Sequence, residues 1–250
     1  MNKIQRIVIV GASSAIAEHC ARCWVKASPV DLTLVGRDAL KLERISADLK
    51  VRGPQSIIRT LTANFIEPEE IEKTVKGIYA QGMVDIVLIA HGSLPDQSNC
   101  QSDLSLCKDT LEINGVSPVL FTEIFARIME KTNFGTIAMI GSVAGDRGRK
   151  SNYVYGAAKS MVARYAQGLQ HRLAKSKVRI VLIKPGPTDT PMTGHLKKQG
   201  AKLESVEIVA RQIVLAIKRK DEVVYVPGHW YLIMQVIMHL PRFIFNKTNF

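Results

Sequence analysis

Apolar residues in this chain come in short runs, and between the runs they recur at helical spacing. The first run, Ile4 to Val10 (IQRIVIV), leads into Gly11-Ala-Ser-Ser-Ala-Ile-Ala. A short apolar run bounded by a turn reads as a buried strand, and apolar positions three and four apart read as one helix face. On this basis strands are expected at 4–10, 32–35, 57–61, 84–89, 135–140, 178–183 and 223–226. Helices are expected between them. One ends near Ala27, one is capped by Asp38 and runs to about Lys50, and one is opened by Pro68 and runs to Ala80. A polar loop after Gly92 leads into a long helix from about Leu104 to Lys131, with Asn114 inside it. Another helix follows Asn152 and ends near Lys175, and a last one covers 206–218.

Strands that alternate with helices at this spacing imply an α/β fold. The expected architecture is a single-domain, Rossmann-type, doubly wound parallel sheet with a C-terminal apolar helical tail. No linker or shift of composition interrupts it. Residues 1–228 are expected to form the domain and 229–250 the tail. From His229 to Leu240 the tail reads HWYLIMQVIMHL, with no fixed charge. It follows Pro227-Gly228 and is shorter than the roughly 20 apolar residues a membrane span needs.

Composition narrows the class. A chain of 250 residues with 46% hydrophobic and 22% charged residues can bury a sizeable core and is not disordered. The four cysteines do not suggest a secreted disulfide scaffold. Cys20 and Cys23 form a C-x-x-C within an expected helix, with no second pair or nearby His, and read as reduced packing thiols. No secretory signal opens the chain, so a cytoplasmic location is expected. The net charge of +12 is compatible with anionic partners. The basic residues are scattered, however, and no nucleic-acid-binding motif is present. The clusters Arg147/Arg149/Lys150, Lys197/Lys198 and Lys218/Arg219/Lys220 each read as solvated surface.

The candidate chemistry lies at the carboxyl ends of the expected strands, where an open α/β sheet binds ligands. Gly11 opens a turn between the first strand and the first helix, a place suited to a pyrophosphate. Ser142 follows the fifth strand, thirteen positions before Tyr155, and Tyr155 and Lys159 are spaced i, i+4 on one helix face. A phenol with an ordinary pKa of about 10 is a poor acid or base at neutral pH. An ammonium beside it is expected to lower that value, and a serine hydroxyl nearby suits a carbonyl oxygen. His91, at a strand end, is read as structural.

Taken together, GASSAIA at 11–17, Asn114, Ser142, Tyr155-x-x-x-Lys159 and PGPTDT at 185–190 resemble the short-chain dehydrogenase/reductase family over nearly the whole chain. The resemblance implies that Tyr155 is the general acid in ketone reduction, with Ser142 orienting the carbonyl. It implies that Lys159 holds the nicotinamide ribose and that Asn114 positions a water of the proton relay. It places Gly11, Ser13, Ser14, Ile16, Arg37, Asn64, Phe65, Ala90, Gly92, Tyr155, Lys159, Pro185, Thr188 and Thr190 around the cofactor. Ala15 and Ala17 depart from the family's second and third glycines, Ile89-Ala90-His91-Gly92 from its usual Asn-Asn-Ala-Gly, and Asn64 from a common Asp.

Gly36-Arg37 stands where an acidic residue would select NADH. A guanidinium suits a phosphate, so NADPH is favoured over NADH. Asp38, beside it, is the alternative ribose contact. In the last third of the chain, RGRKSNYVYGAAK at 147–159, PMTGHLKK at 191–198 and the ending VVYVPGHWYLIMQVIMHLPRFIFNKTNF at 223–250 resemble reductases that act with a flavin oxidase to epimerise a polyprenyl-phosphate-linked ribose to arabinose. That resemblance implies a 2-keto pentofuranose on a lipid phosphate as substrate. The alternatives are another long-chain ketone, of ketosphinganine or 3-ketoacyl type, and a nucleotide-binding protein without turnover. The apolar tail is expected to rest on a membrane surface or to form a subunit interface of a homo-oligomer.

Overall fold

The computed structural model describes residues 4–198 and 200–248. The ends of the expected domain and tail, residues 1–3 and 249–250, lie outside the described residues. Seven strands, β1 (Gln5–Val10), β2 (Val30–Gly36), β3 (Ile57–Thr62), β4 (Ile86–Ile89), β5 (Thr136–Ile140), β6 (Arg179–Pro185) and β7 (Val223–Val226), form one sheet in the order β3-β2-β1-β4-β5-β6-β7. Every pairing is parallel. The strand order reverses between β1 and β4, which makes their carboxyl ends the switch point where ligands bind in such sheets.

The runs read as strands because both sheet faces are covered. Along β1, Ile7 and Ile9 enter one core while Val8 and Val10 enter the other, and Leu88 and Val87 of β4 divide the same way. The first core packs under α1 (Ala15–Ala27), α2 (Ala39–Arg52) and α9 (Val206–Arg219). The second packs under α3 (Pro68–Ala80), α6 (Ser117–Thr132) and α7 (Tyr153–Arg172). Asp38 caps α2 as expected, its carboxylate accepting the Lys41 N–H at 3.1 Å, and Pro68 opens α3. Cys20 and Cys23 lie in α1 as free thiols, and burial raises both above their ordinary pKa.

The long helix expected over 104–131 is not one helix. It is divided into α5 (Leu104–Leu111), a π-turn over Glu112–Val116, and α6, and the stretch before it, expected as a polar loop, holds α4 (Gln97–Ser102). The break has a local cause. Pro118 carries no N–H, so it cannot make the i→i−4 bond to the Asn114 carbonyl that an α-helix requires. The wider turn takes over, with the Ser117 N–H bonding to the Glu112 carbonyl. Periodicity alone gives no sign of this one-residue change of register.

The expected tail forms α10 (His229–His239) and α11 (Arg242–Phe245), after a short α8 (Gly194–Lys198) and strand β7. It is packed on the domain rather than free of it. Met234 and Ile237 are buried with Val143 and Tyr225, and Trp230 lies so close to Gly186 that a Cβ there would fall 2.0 Å from its indole nitrogen. Arg147 ties the end of α10 down by donating to the Ile237, Met238 and Leu240 carbonyls, and its guanidinium lies 3.8 Å from the Phe245 ring centre. Arg147 is thus a structural cation, not the solvated surface charge expected. The outward face of the tail stays exposed and apolar, at 69% for Leu232, 64% for Val236 and 70% for Phe243. Among the described residues, no helix is long and apolar enough to cross a membrane.

Candidate active site

Turns at the carboxyl ends of the strands converge on one cavity. Ser14, Ile16, Ala90, Gly92, Asn114, Ser142, Tyr155, Lys159, Pro185, Thr188 and Thr190 all line it, so most of the expected residues meet there. Gly11, Ser13, Arg37, Asn64 and Phe65 do not line it. They lie around β1, β2 and the turn after β3.

Close backbone contact sets the position of the central residues. A Cβ on Gly145 would lie 2.8 Å from the Lys159 carbonyl carbon, and one on Gly156 would lie 2.8 Å from the Ala144 carbonyl oxygen. Alpha-7 therefore rests directly on the 3₁₀ turn Val143–Gly145 that Ser142 caps through its own Oγ, which accepts the Ala144 N–H at 3.1 Å. The Ser142 hydroxyl is close enough to the Tyr155 oxygen to favour its ionised form. Lys159 is 3% exposed and donates to the Ile140 carbonyl at 3.1 Å. The side chain of Asn114 is fixed in the π-turn: its Oδ1 accepts the Ser93 N–H at 2.9 Å and its Nδ2 donates to the Thr110 carbonyl at 2.9 Å. Any relay role falls to its backbone carbonyl, which Pro118 deprives of the usual helical donor.

The electrostatics differ from the expectation. The Tyr155 pKa is raised by burial, with the Ser142 hydrogen bond acting against the rise. The ammonium of Lys159, whose Nζ lies 5.8 Å from the ring centre and donates to the Ile140 carbonyl, does not outweigh that burial. Desolvation dominates both groups and also brings Lys159 down to about 8. Tyr155 consequently keeps its proton across the neutral range, as a proton donor must.

The nucleotide side of the site fits the dinucleotide that the sequence resemblance implies. Gly11 has φ +86°, and a Cβ there would lie 2.5 Å from the His91 nitrogen, so only glycine allows β1 and β4 this approach. Alpha-1 begins at Ser14 with no side chain capping it, which leaves its first N–H groups for a phosphate. Ala15 and Ala17, which replace family glycines, lie inside α1 rather than in the turn. Arg37 is exposed and makes no hydrogen bond or ion pair among the described residues. Asp38 beside it caps α2 through Oδ1, which accepts the Lys41 N–H. Asn64 spends its Oδ1 on the N–H groups of Ile66 and Glu67. Phe65 is buried edge-on against His91 and Phe121, so only its backbone remains for a ligand.

Other cavity residues escaped the sequence reading: Leu94, Arg149, Asn152, Met192 and Leu196. Arg149 was hidden in a cluster that reads as surface charge, and the rest have residue types too common to signal anything. His91 also lines the cavity, bonded to Ser117 at 2.9 Å, with its pKa held at about 3 by burial and by Lys159 and Arg37. It is neutral at neutral pH.

The low Lys159 pKa has a consequence for stability. Between about pH 8 and the ordinary lysine value of 10.5 the folded protein binds fewer protons than the unfolded chain. Stability contributed through this group therefore rises with pH across that window. Lys159→Met removes a buried cation and is expected to stabilise the cofactor-free protein. That gain should be full below about pH 8 and shrink toward pH 10.5 in urea unfolding. A gain independent of pH would place the perturbed proton elsewhere.

Residues 5–201 match the family described as short chain dehydrogenase. An uncharacterised oxidoreductase of Streptomyces coelicolor is 28% identical over 242 residues, covering 96% of this chain and 94% of that one. One of Mycobacterium tuberculosis is 27% identical over 243 residues, covering 96% of each. A solved short-chain dehydrogenase from Sphingobium yanoikuyae in complex with NADPH superimposes with a TM-score of 0.82 at 20% identity, over 96% of this chain and 97% of that one. A bulky-bulky ketone specific alcohol dehydrogenase from Comamonas testosteroni gives 0.80 at 19% identity, over 96% of each chain. The family match spans most of the chain and coincides with the Ser142–Tyr155–Lys159 cavity, so the chain belongs to the short-chain dehydrogenase family and is an oxidoreductase.

Proposed function

We propose that the protein reduces the 2-keto group of a pentofuranose carried on a polyprenyl phosphate, with NADPH as cofactor. The observation that carries this reading is the position of α10. Its inner face backs the loops of the catalytic cavity through Trp230 and Met234, while its outer face presents exposed Leu232 and Val236. A substrate whose lipid stays in a bilayer needs a site beside such a face. A ketosphinganine or 3-ketoacyl lipid would use the same approach. A flavin oxidase acting on the corresponding alcohol would supply the ketone.

A reduced nicotinamide, when bound here, would supply hydride to the carbonyl carbon. As negative charge grows on the carbonyl oxygen, Ser142 donates a hydrogen bond to it and Tyr155 transfers its proton. Lys159 holds the ribose and stabilises the tyrosinate left behind. A water on the Asn114 carbonyl returns the proton from solvent. The unpaired Arg37 guanidinium meets the 2′-phosphate, and NADPH in the related Sphingobium structure is consistent with that choice.

Tyr155→Phe removes the proton donor and little volume. It is expected to lower kcat for ketone reduction by about 10²–10⁴-fold, with NADPH binding by fluorescence titration unchanged. Wild-type turnover in this variant would sink the assignment.

Arg37→Ala is expected to weaken NADPH by about tenfold or more and NADH much less, since only the phosphate loses a charge-assisted contact. Equal losses in the two titrations would show that Arg37 does not select the cofactor.

The outer tail face is tested without deleting α10, because deletion would also remove Met234 and Ile237 from the core. Leu232→Glu/Val236→Glu/Phe243→Glu should abolish binding to phosphatidylglycerol vesicles in a flotation assay while the protein stays folded and of unchanged mass in solution. A wild-type protein that never floats, and a variant that dissociates to smaller species, would instead make this face a subunit interface.

A further inference from the structure

Arg149 is a charged group of the cavity that the proposed reduction leaves unused. It lies between the Ser142 turn and α7. Among the described residues its Nε is buried without a hydrogen-bond partner, and its Nη2 meets the Val143 carbonyl at 3.5 Å and the Met234 sulfur at 3.2 Å. Among the described residues no carboxylate pairs with it. Asp146, whose charge it feels, is committed to Lys184 at 2.6 Å and to the Tyr225 hydroxyl at 2.9 Å. Arg147, two residues earlier, is the structural contrast, with three carbonyls and an aromatic face around it.

A guanidinium stays charged in proteins, and withdrawing it from water without a partner is costly. Such a group suits a site that an anionic ligand completes. Beside it in the cavity, the Asn152 Oδ1 is also buried and unpartnered. Both belong to the substrate side. Arg149 touches Val143 and α10, next to β5 and β7, whereas the glycine turn and Arg37 belong to β1 and β2 across the sheet.

We propose that Arg149 binds a phosphate oxyanion of the substrate, with Asn152 accepting a hydrogen bond from a substrate hydroxyl. This inference rests on the reading of the substrate as a prenyl-phosphate-linked ketone and assigns its anion a partner. The planar guanidinium offers two parallel donors to adjacent phosphate oxygens, a fit that a lysine would not reproduce.

The test measures binding of geranyl phosphate, geranic acid and geraniol to the NADP⁺-loaded protein by isothermal titration calorimetry. Wild type should bind the phosphate more tightly than the carboxylate or the alcohol. R149M should lose about tenfold or more in geranyl phosphate affinity, R149K should recover part of it, and geraniol should be indifferent to either change. Because Arg149 has no ion pair to lose, the thermal midpoint of ligand-free R149M should not fall. Should the methionine variant fail to fold, R149Q decides the question on the same affinity. Unchanged geranyl phosphate affinity in the variant would overturn the proposal, as would geranic acid or geraniol binding as tightly as the phosphate. Reduction of the lipid-linked ketone with no dependence on Arg149 would refute this inference and leave the proposed reaction standing. Phosphate binding through Arg149 without that reduction would do the reverse.

Discussion

The contact of α7 with the 3₁₀ turn after β5 fixes everything else in the site. Side chains larger than hydrogen at Gly145 and Gly156 would separate the two backbones. With glycine at both positions, Ser142 reaches Tyr155, and Lys159 is driven into a space from which water is excluded. Interiors packed this closely do not absorb an added methyl group without shifts of backbone or rotamer. The reactive geometry is thus a consequence of helix-on-turn packing, and the site inherits its rigidity from that contact.

The turn is itself held from the other side. Asp146, Lys184 and Tyr225 form a buried network linking it to β6 and β7. Beyond that network lies α10, with Met234 and Ile237 against Val143 and Trp230 against Gly186. The C-terminal segment is therefore part of the wall that supports the reacting groups. Its outer face and the cavity are two sides of one packed unit.

Burial governs the protonation of the site. Low polarity raises Tyr155 and lowers Lys159 to about 8, and keeps His91 neutral. A proton donor that holds its proton, next to a cation that burial has made less stable, favours a ligand bearing negative charge or developing it. Arg149 extends the same logic to a second cation of the cavity, which among the described residues has no carboxylate partner.

The sequence by itself determined the α/β architecture, since alternating short apolar runs and helical faces can be buried together in few ways. It also put Tyr155 and Lys159 together, because i, i+4 spacing on a helix fixes a shared face whatever the surroundings, whereas Ser142, outside that helix, was legible only through the family motif. Two features were decided only in the tertiary structure, and a third, at Pro118, is local to the sequence but invisible to its hydrophobic period. The sign of the Tyr155 shift depends on desolvation, which comes from neighbours distant in sequence. The break at Asn114 depends on one missing N–H at Pro118, which the hydrophobic period does not register. The division of RGRK into a tail anchor at Arg147 and an unpaired cavity cation at Arg149 depends on where α10 packs. Charge is written in the sequence, but whether a charge faces water, a carbonyl or an empty cavity is a property of the packing around it.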